Sequence, residues 1–185
     1  MLETITNLDA NILLFIQDYV RTPWLTPLMK FLSLIGELGA VRIVLTIILL
    51  IRKNTRRAGL VVLISMAVTF VLVSFMIKPA VHRVRPFNLY PAIQVLGVVP
   101  SDYSFPSGHT SNGFAAALVM LRMLPRRAGV PAVILAALIA FSRLYVGAHY
   151  PTDVIAGLLI ALVISQLVWY IMAGRQRRRT QACAG

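Results

Sequence analysis

From its N-terminus, the chain alternates apolar runs long enough to cross a bilayer with short polar bursts. Ala58 to Ile77 and Val154 to Gly174 are runs of 20 and 21 residues without a charge, enough to cross a hydrocarbon core of roughly 30 Å. Ser107 to Leu121 and Ala128 to Ser142 are shorter; each reaches span length if its end lies in a polar cavity, where the lipid's demand on the backbone relaxes. A further run, about Pro27 to Ile51, carries Lys30, Glu37 and Arg42 and so needs protein or water along one side. The pattern predicts five transmembrane helices. Ahead of them, "LDANILLFIQDYV" puts Leu8, Ile12, Phe15, Ile16 and Tyr19 on one helical stripe, with Asp9, Gln17 and Asp18 elsewhere. That predicts a helix lying in the membrane interface.

The expected fold is therefore all-α, a polytopic membrane bundle of about five transmembrane helices plus an N-terminal interfacial helix. It forms one domain over residues 1–185: interfacial helix 1–26, transmembrane bundle 27–174 and basic cytoplasmic tail 175–185. No basic segment precedes the first helix and no small-residue cleavage site follows a short apolar core, so no removable signal peptide is expected. Ala132, Ala136 and Ala140 should let the fourth span pack closely on a neighbour.

Composition supports this reading. The 185 residues are 58% hydrophobic, with a mean hydropathy of +0.80, too apolar for a water-soluble domain. The net charge of +12 does not indicate nucleic acid, which needs a continuous basic face on a soluble surface. Eleven of the 18 basic residues fall instead in three places: Arg52, Lys53, Arg56 and Arg57; Arg122, Arg126 and Arg127; and Arg175, Arg177, Arg178 and Arg179. If each group follows an odd-numbered span, all lie on one side, which the positive-inside rule makes cytoplasmic. The N-terminus is then outside and the C-terminus inside. An acidic-lipid tether or a plain solvated segment accounts equally well for the tail. The single cysteine, Cys183, lies in that tail; it cannot form an internal disulfide and is not expected to be catalytic.

The basic residues outside these groups carry the chemistry. "KPAVHRVRP" follows the second span, "SFPSGHT" opens the third and "SRLYVGAHYPTD" joins the fourth to the fifth. The five-span topology brings all three stretches to the outer face. A helix starting at "PSGH" aims unpaired backbone N–H groups, the Ser107 hydroxyl and the His109 imidazole at one spot, which suits an anion. Gly108 lets that anion approach the backbone, and His109 can pass it a proton. Lys78, Arg85 and Arg143 beside a bilayer interior are costly unless paired; two guanidinium forks and one ammonium suit phosphate oxygens. His149 and Asp153, four apart with Pro151 between, place a carboxylate on one ring nitrogen and free the other as nucleophile or base. A bond that merely ties down a loop is the alternative for this pair, as capping or packing is for His109. Arg83, Arg21 and Lys30 are expected to snorkel to lipid headgroups, His82 to be a loop residue, and Glu37 to pair inertly with Lys30 or to reach a polar cluster near the pocket.

Taken in order, Lys78-x6-Arg85-Pro86, Pro106-Ser107-Gly108-His109 and Ser142-Arg143-x5-His149-x3-Asp153 resemble the three-part signature of the type 2 phosphatidic acid phosphatase family, with no departure at these positions. The resemblance covers residues 78–153 and extends loosely to the flanking helices. It implies that His149 attacks phosphorus to form a phosphohistidine, that Asp153 orients it, and that His109 protonates the leaving oxygen and then helps water release phosphate. Lys78, Arg85 and Arg143, with Ser107 and the Gly108 N–H, would hold the equatorial oxygens. No metal and no cofactor is implied; three cations aimed at one cavity would repel a divalent ion, although two histidines and an aspartate could in principle bind zinc.

The partners expected are a lipid phosphate and the surrounding membrane lipids. A site at the membrane boundary favours a phosphate headgroup on a tail that stays in lipid. Undecaprenyl diphosphate is the first choice, phosphatidylglycerophosphate or phosphatidic acid the second. The 86–105 loop, with Phe87, Tyr90 and Tyr103 as interface anchors, should set headgroup choice. A non-catalytic lipid-phosphate-binding protein would not require an oriented nucleophile, and a transporter should show an inverted repeat or a broken midplane helix.

Overall fold

The computed structural model describes residues 2–182. Cys183 lies outside them, and the side chains of the tail arginines are likewise not described. The described residues form helices and connecting turns, with no strand: α1 Leu2–Phe15, α2 Leu25–Leu38, α3 Ala40–Ile51, α4 Arg56–Val71, α5 Lys78–Val81, α6 Pro86–Leu89, α7 Gly108–Met123, α8 Arg126–Tyr145 and α9 Pro151–Ala182, with π-helical turns Ile16–Val20 after α1 and Leu72–Ile77 after α4.

Three segments are long and apolar enough to cross a membrane: Arg56–Leu89, Arg126–Tyr145 and Pro151–Ala173. Leu25–Glu37 and Ala40–Ile51 make a fourth if taken as one bent span. The first run, expected to be one helix from about Pro27 to Ile51, is thus two, meeting at 54°. The cause is Gly39, whose φ of 62° lies in the left-handed region open to glycine and ends α2. The remaining expected span, α7, has 16 residues. It packs against α4, α8 and α9 and touches α2, so protein rather than lipid surrounds it and it needs less apolar length.

Small residues bring these helices close. Ala136 and Ala140 on α8 are buried with Phe114, Ala115 and Ala117 of α7 and Ala161 of α9, with Ala132 partly buried beside them, as expected for an alanine face. On α9, a Cβ at Gly157 would stand 2.9 Å from the Ser107 carbonyl oxygen and 3.1 Å from Thr110 Cβ. Only a glycine lets the start of α9 lie against the start of α7, where two of the candidate motifs sit. Farther along, Val61 and Val62 of α4, Val119 and Met120 of α7, and Ile164 and Val168 of α9 form a second apolar cluster.

Helix α1 covers the site end of the bundle. Of its expected apolar stripe, Leu8, Ile12, Phe15 and Tyr19 are exposed, while Ile16 is buried against Met29, Leu32 and Tyr145. At about 100° per residue, Ile16 sits at the edge of the stripe, next to the inward face of Asp9, Leu13 and Ala10. The polar Asp9 therefore points into the protein, at 2% exposure.

Candidate active site

Successive antiparallel helices bring the ends of α4 and α8 and the starts of α7 and α9 together. After α4 the chain passes Lys78, turns at His82, whose φ is 52°, and reaches Arg85, which precedes Pro86 at the start of α6. Lys78 and Arg85 are both buried and both hold the carboxylate of Asp102. Lys78 Nζ is ion-paired with Oδ2, and Arg85 Nη2 donates to Oδ1 at 2.5 Å. Arg85 also donates from Nε to the Asp102 carbonyl at 2.7 Å and from Nη1 to the Ala148 carbonyl at 2.7 Å. That second bond sets Arg85 Nη1 3.4 Å from His149 Nε2.

His149 follows the end of α8 and is buried. Its Nδ1 lies 3.5 Å from Asp153 Oδ2, beyond good hydrogen-bond geometry but with the carboxylate on the side the four-residue spacing predicts. Asp153 itself is fully buried and saturated. Oδ2 accepts the Tyr150 N–H at 3.0 Å and the Ser104 hydroxyl at 2.5 Å; Oδ1 accepts Arg83 Nη1 at 2.6 Å. With Asp153 on the Nδ1 side, a proton on Nδ1 leaves the Nε2 lone pair facing Arg85.

Ser107 caps α7, accepting from Thr110 N–H at 3.4 Å and the Thr110 hydroxyl at 3.0 Å, and its own N–H donates to the Asp153 carbonyl at 3.0 Å. The two motif-bearing helix starts are thus joined through the backbone. A Cβ at Gly108 would meet nothing within 4 Å, so open space, not packing, borders this glycine. His109, on the first turn, has Arg143, His149, Arg42 and Lys78 as charged or titratable neighbours. Its Nε2 is buried without a partner. Arg143, 1% exposed, donates from Nη1 to the Ser33 hydroxyl at 2.5 Å and contacts Glu37 at 3.3 Å, yet its Nε and Nη2 are also buried and unpaired. Buried polar atoms normally find partners, so these three nitrogens mark a place built for oxygens.

The electrostatics follow the same division. Burial pushes the Asp102 carboxyl up, but Lys78 and Arg85 outweigh it and bring its pKa down to about 2. Burial pushes the His149 imidazole down; Asp153 opposes this and Arg85 adds to it, leaving a pKa of about 4. At neutral pH the ring is therefore uncharged.

All eight candidate residues come to one end of the bundle. Several of the surrounding expectations need correction. Arg83 does not snorkel: it bridges Asp153 and Asp9, the latter at 2.7 Å, with its guanidinium 4.1 Å over the Tyr150 ring. Arg21 does not snorkel either; it donates to the Tyr145 and Gln94 carbonyls at 2.9 and 2.8 Å. A carbonyl or carboxylate within reach is a better partner than a distant headgroup. Lys30 is exposed. Of the two partners expected for Glu37, the structure gives the polar cluster near the pocket: it pairs with Arg143 and not with Lys30, because α2 crosses α8 at that level. His82 is a turn residue, as expected, edge-on to Tyr103. Sequence reasoning gave no role to the supporting set of Asp9, Ser33, Asp102 and Ser104. The one local signal was an arginine two residues before Arg85.

The family model of the PAP2 superfamily matches residues 58–177. The chain belongs to the PAP2 superfamily. The match extends the expected 78–153 signature into the helices on either side. Among PAP2 relatives, the undecaprenyl-diphosphatase of Sulfolobus acidocaldarius is 38% identical over 162 residues, 87% of this chain and 78% of that protein. The decaprenylphosphoryl-5-phosphoribose phosphatase of Mycobacterium tuberculosis is 40% identical over 108 residues, 58% of each chain. The crystal structure of a transmembrane PAP2 type phosphatidylglycerolphosphate phosphatase from Bacillus subtilis superimposes with a TM-score of 0.72 at 26% identity, covering 91% of this chain and 86% of that one. This PAP2 chain is a membrane lipid phosphatase with an all-helical bundle fold.

Proposed function

We propose that this lipid phosphatase removes the terminal phosphate of undecaprenyl diphosphate through a phosphohistidine on His149. The observation that carries the reading is the pairing of an uncharged, carboxylate-backed imidazole with unpaired buried nitrogens of Arg143 and His109 in the same cluster. His149 Nε2 forms the bond to phosphorus as the bond to the lipid-phosphate oxygen breaks, and His109 gives that oxygen a proton. Water then attacks phosphorus, its proton passes to His109, and the P–N bond breaks to release phosphate. Arg143, Arg85 and Lys78, with Ser107 and the Gly108 N–H, hold the equatorial oxygens, so in-line positioning and fixed positive charge do the catalytic work without a metal. For Lys78 and Arg85, phosphate oxygens take the place Asp102 fills between them.

The lipid assignment draws on a second feature. A small, mainly apolar cavity of about 40 Å³ between α2, α3, α7 and α8 is lined by Gly36, Leu45, Gly113, Ala117, Leu135 and Ile139, among others. Gly36 also backs the active site: a Cβ there would stand 3.1 Å from His109 Cδ2. Apolar room beside a phosphate cradle suits a headgroup whose tail stays in the bilayer. The Sulfolobus relative's name supports the diphosphate of a polyprenyl carrier; phosphatidylglycerophosphate or phosphatidic acid is the alternative.

The site faces outward in this proposal. The Arg52–Arg57 and Arg122–Arg127 groups lie at the α3–α4 and α7–α8 turns, the end of the bundle opposite His149, and the positive-inside rule makes that end cytoplasmic along with tail 175–185. The whole chain then works as one domain. A phosphate-release panel in detergent with EDTA, comparing undecaprenyl diphosphate, phosphatidylglycerophosphate and phosphatidic acid, tests substrate order and metal independence together. The diphosphate should turn over fastest and EDTA should leave the rate unchanged; loss of activity in EDTA, or preference for either glycerolipid, contradicts the respective part.

A further inference from the structure

Arg83 occupies one of the unspecified positions of the first signature motif, yet it holds the catalytic carboxylate. Its Nη1 donates to Asp153 Oδ1 at 2.6 Å and to the Thr152 hydroxyl at 2.7 Å, and its Nη2 donates to Asp9 Oδ2 at 2.7 Å. Asp9 belongs to α1. From there it also accepts the Thr152 N–H at 3.2 Å and the Thr152 hydroxyl. Thr152 is the second residue of α9, so a carboxylate from another helix satisfies an N–H at the start of the helix that carries Asp153. One part-buried guanidinium joins two buried carboxylates, and buried ions keep their charge only when paired this closely.

We propose that Asp9 and Arg83 are positioning residues for the reaction, a charge relay that sets the orientation and basicity of His149 through Asp153. Resting on the phosphohistidine reading, the relay adds to it the control of the nucleophile by α1. Arg83 fixes Oδ1 and so turns Oδ2 toward His149 Nδ1. Its positive charge also offsets that of Asp153, which otherwise favours a protonated, unreactive imidazole. Asp9 tempers Arg83 in turn. The groups facing His149 itself are Asp153 from α9, Arg143 from α8, His109 from α7, and Arg85, which is bound to Asp102. Of these, only Asp153 loses a hydrogen bond when Arg83 is replaced.

The test is the acid limb of kcat/KM for phosphate release from undecaprenyl diphosphate, measured on the full chain in detergent. Arg83→Gln leaves Asp153 uncompensated, so the limb moves up by about one pH unit and kcat at pH 7 falls about tenfold or more. The double variant Asp9→Asn with Arg83→Gln removes one charge of each sign, and its limb returns toward that of wild type even though its rate stays low. Arg83→Lys keeps the charge without the fork and leaves the limb in place. Substrate ionisation is common to every arm. A purely structural role lowers the rate of all three variants with the limb fixed at the wild-type pH, and that result overturns the relay. An active wild type with unmoved limbs removes the relay alone, whereas a wild type that releases no phosphate removes the proposed function and the relay with it.

Discussion

The two sides of the site are built on opposite principles. Around His149 and Asp153 every carboxylate oxygen is filled, by Arg83, Ser104 and the Tyr150 N–H. Around His109 and Arg143, three nitrogens are buried with nothing to bind. Saturation fixes a group in place at little further cost, whereas an unpaired buried donor is held at an energetic disadvantage of about 1–3 kcal/mol until something accepts from it. The locked side therefore suits the nucleophile, which must be aimed before substrate arrives, and the open side suits transition-state oxygens and the moving proton.

The largest effect should come from breaking the locked side. Asp153→Asn removes the carboxylate on the Nδ1 side of His149 and leaves Arg83 with Asp9 alone; phosphate release should fall by about 10³- to 10⁴-fold in kcat. Opening the other side further comes next. Arg143→Lys keeps a charge but loses the fork, and kcat/KM should fall by about 10²-fold in the same assay. Gly36→Ala probes the boundary between site and apolar cavity: its Cβ would stand 2.7 Å from Ile139 Cγ2 and 3.1 Å from His109 Cδ2. A displaced His109 should cost about tenfold in kcat, with a lowered melting temperature. Glu37→Gln is smaller still. The Glu37 side chain is 30% exposed and its pair with Arg143 is 3.3 Å long, so turnover should change by less than about fivefold, and a steady-state kcat measurement decides it.

The smallest effect is expected from mild acid. His149 has a pKa of about 4, so kcat/KM should not lose activity through this ring between pH 8 and 6; its own acid limb belongs near pH 4. Stability has the matching sign. The unfolded imidazole takes up a proton near pH 6.5 while the folded one stays neutral, so stability falls as pH drops from about 6.5 to 4 and levels off below. Asp102, held at about 2, adds stability that is present above about pH 4 and lost as pH falls through 2. A pH series of melting curves checks both.

How much of this was legible in the sequence differs between the two sides as well. Motif spacing was enough to find His109, Arg143, His149 and Asp153, because the helix ends and the i,i+4 relation are local. The partners that lock Asp153 were not. Asp9 is separated from Arg83 by 74 residues and looked like the polar side of an interfacial helix; only the packed bundle shows that this side faces inward. Glu37 was left between Lys30 on its own helix and a polar cluster near the pocket, and the crossing of α2 and α8 gave it the second, through Arg143. Charge-free runs located α4 and α9 well. The short run at Ser107 located the 16-residue α7, which is enclosed by neighbours instead of lipid, but the bend at Gly39 escaped that criterion, since it depends on a single backbone angle.

The most direct test of the central claim is to trap the covalent intermediate: mix the enzyme with undecaprenyl diphosphate, quench within a turnover under alkaline conditions, and map the phosphate by mass spectrometry. The phosphate should sit on His149 and be missing in His149→Ala, which should also release none. Phosphate on His109 instead, or wild-type release from His149→Ala, would contradict the account.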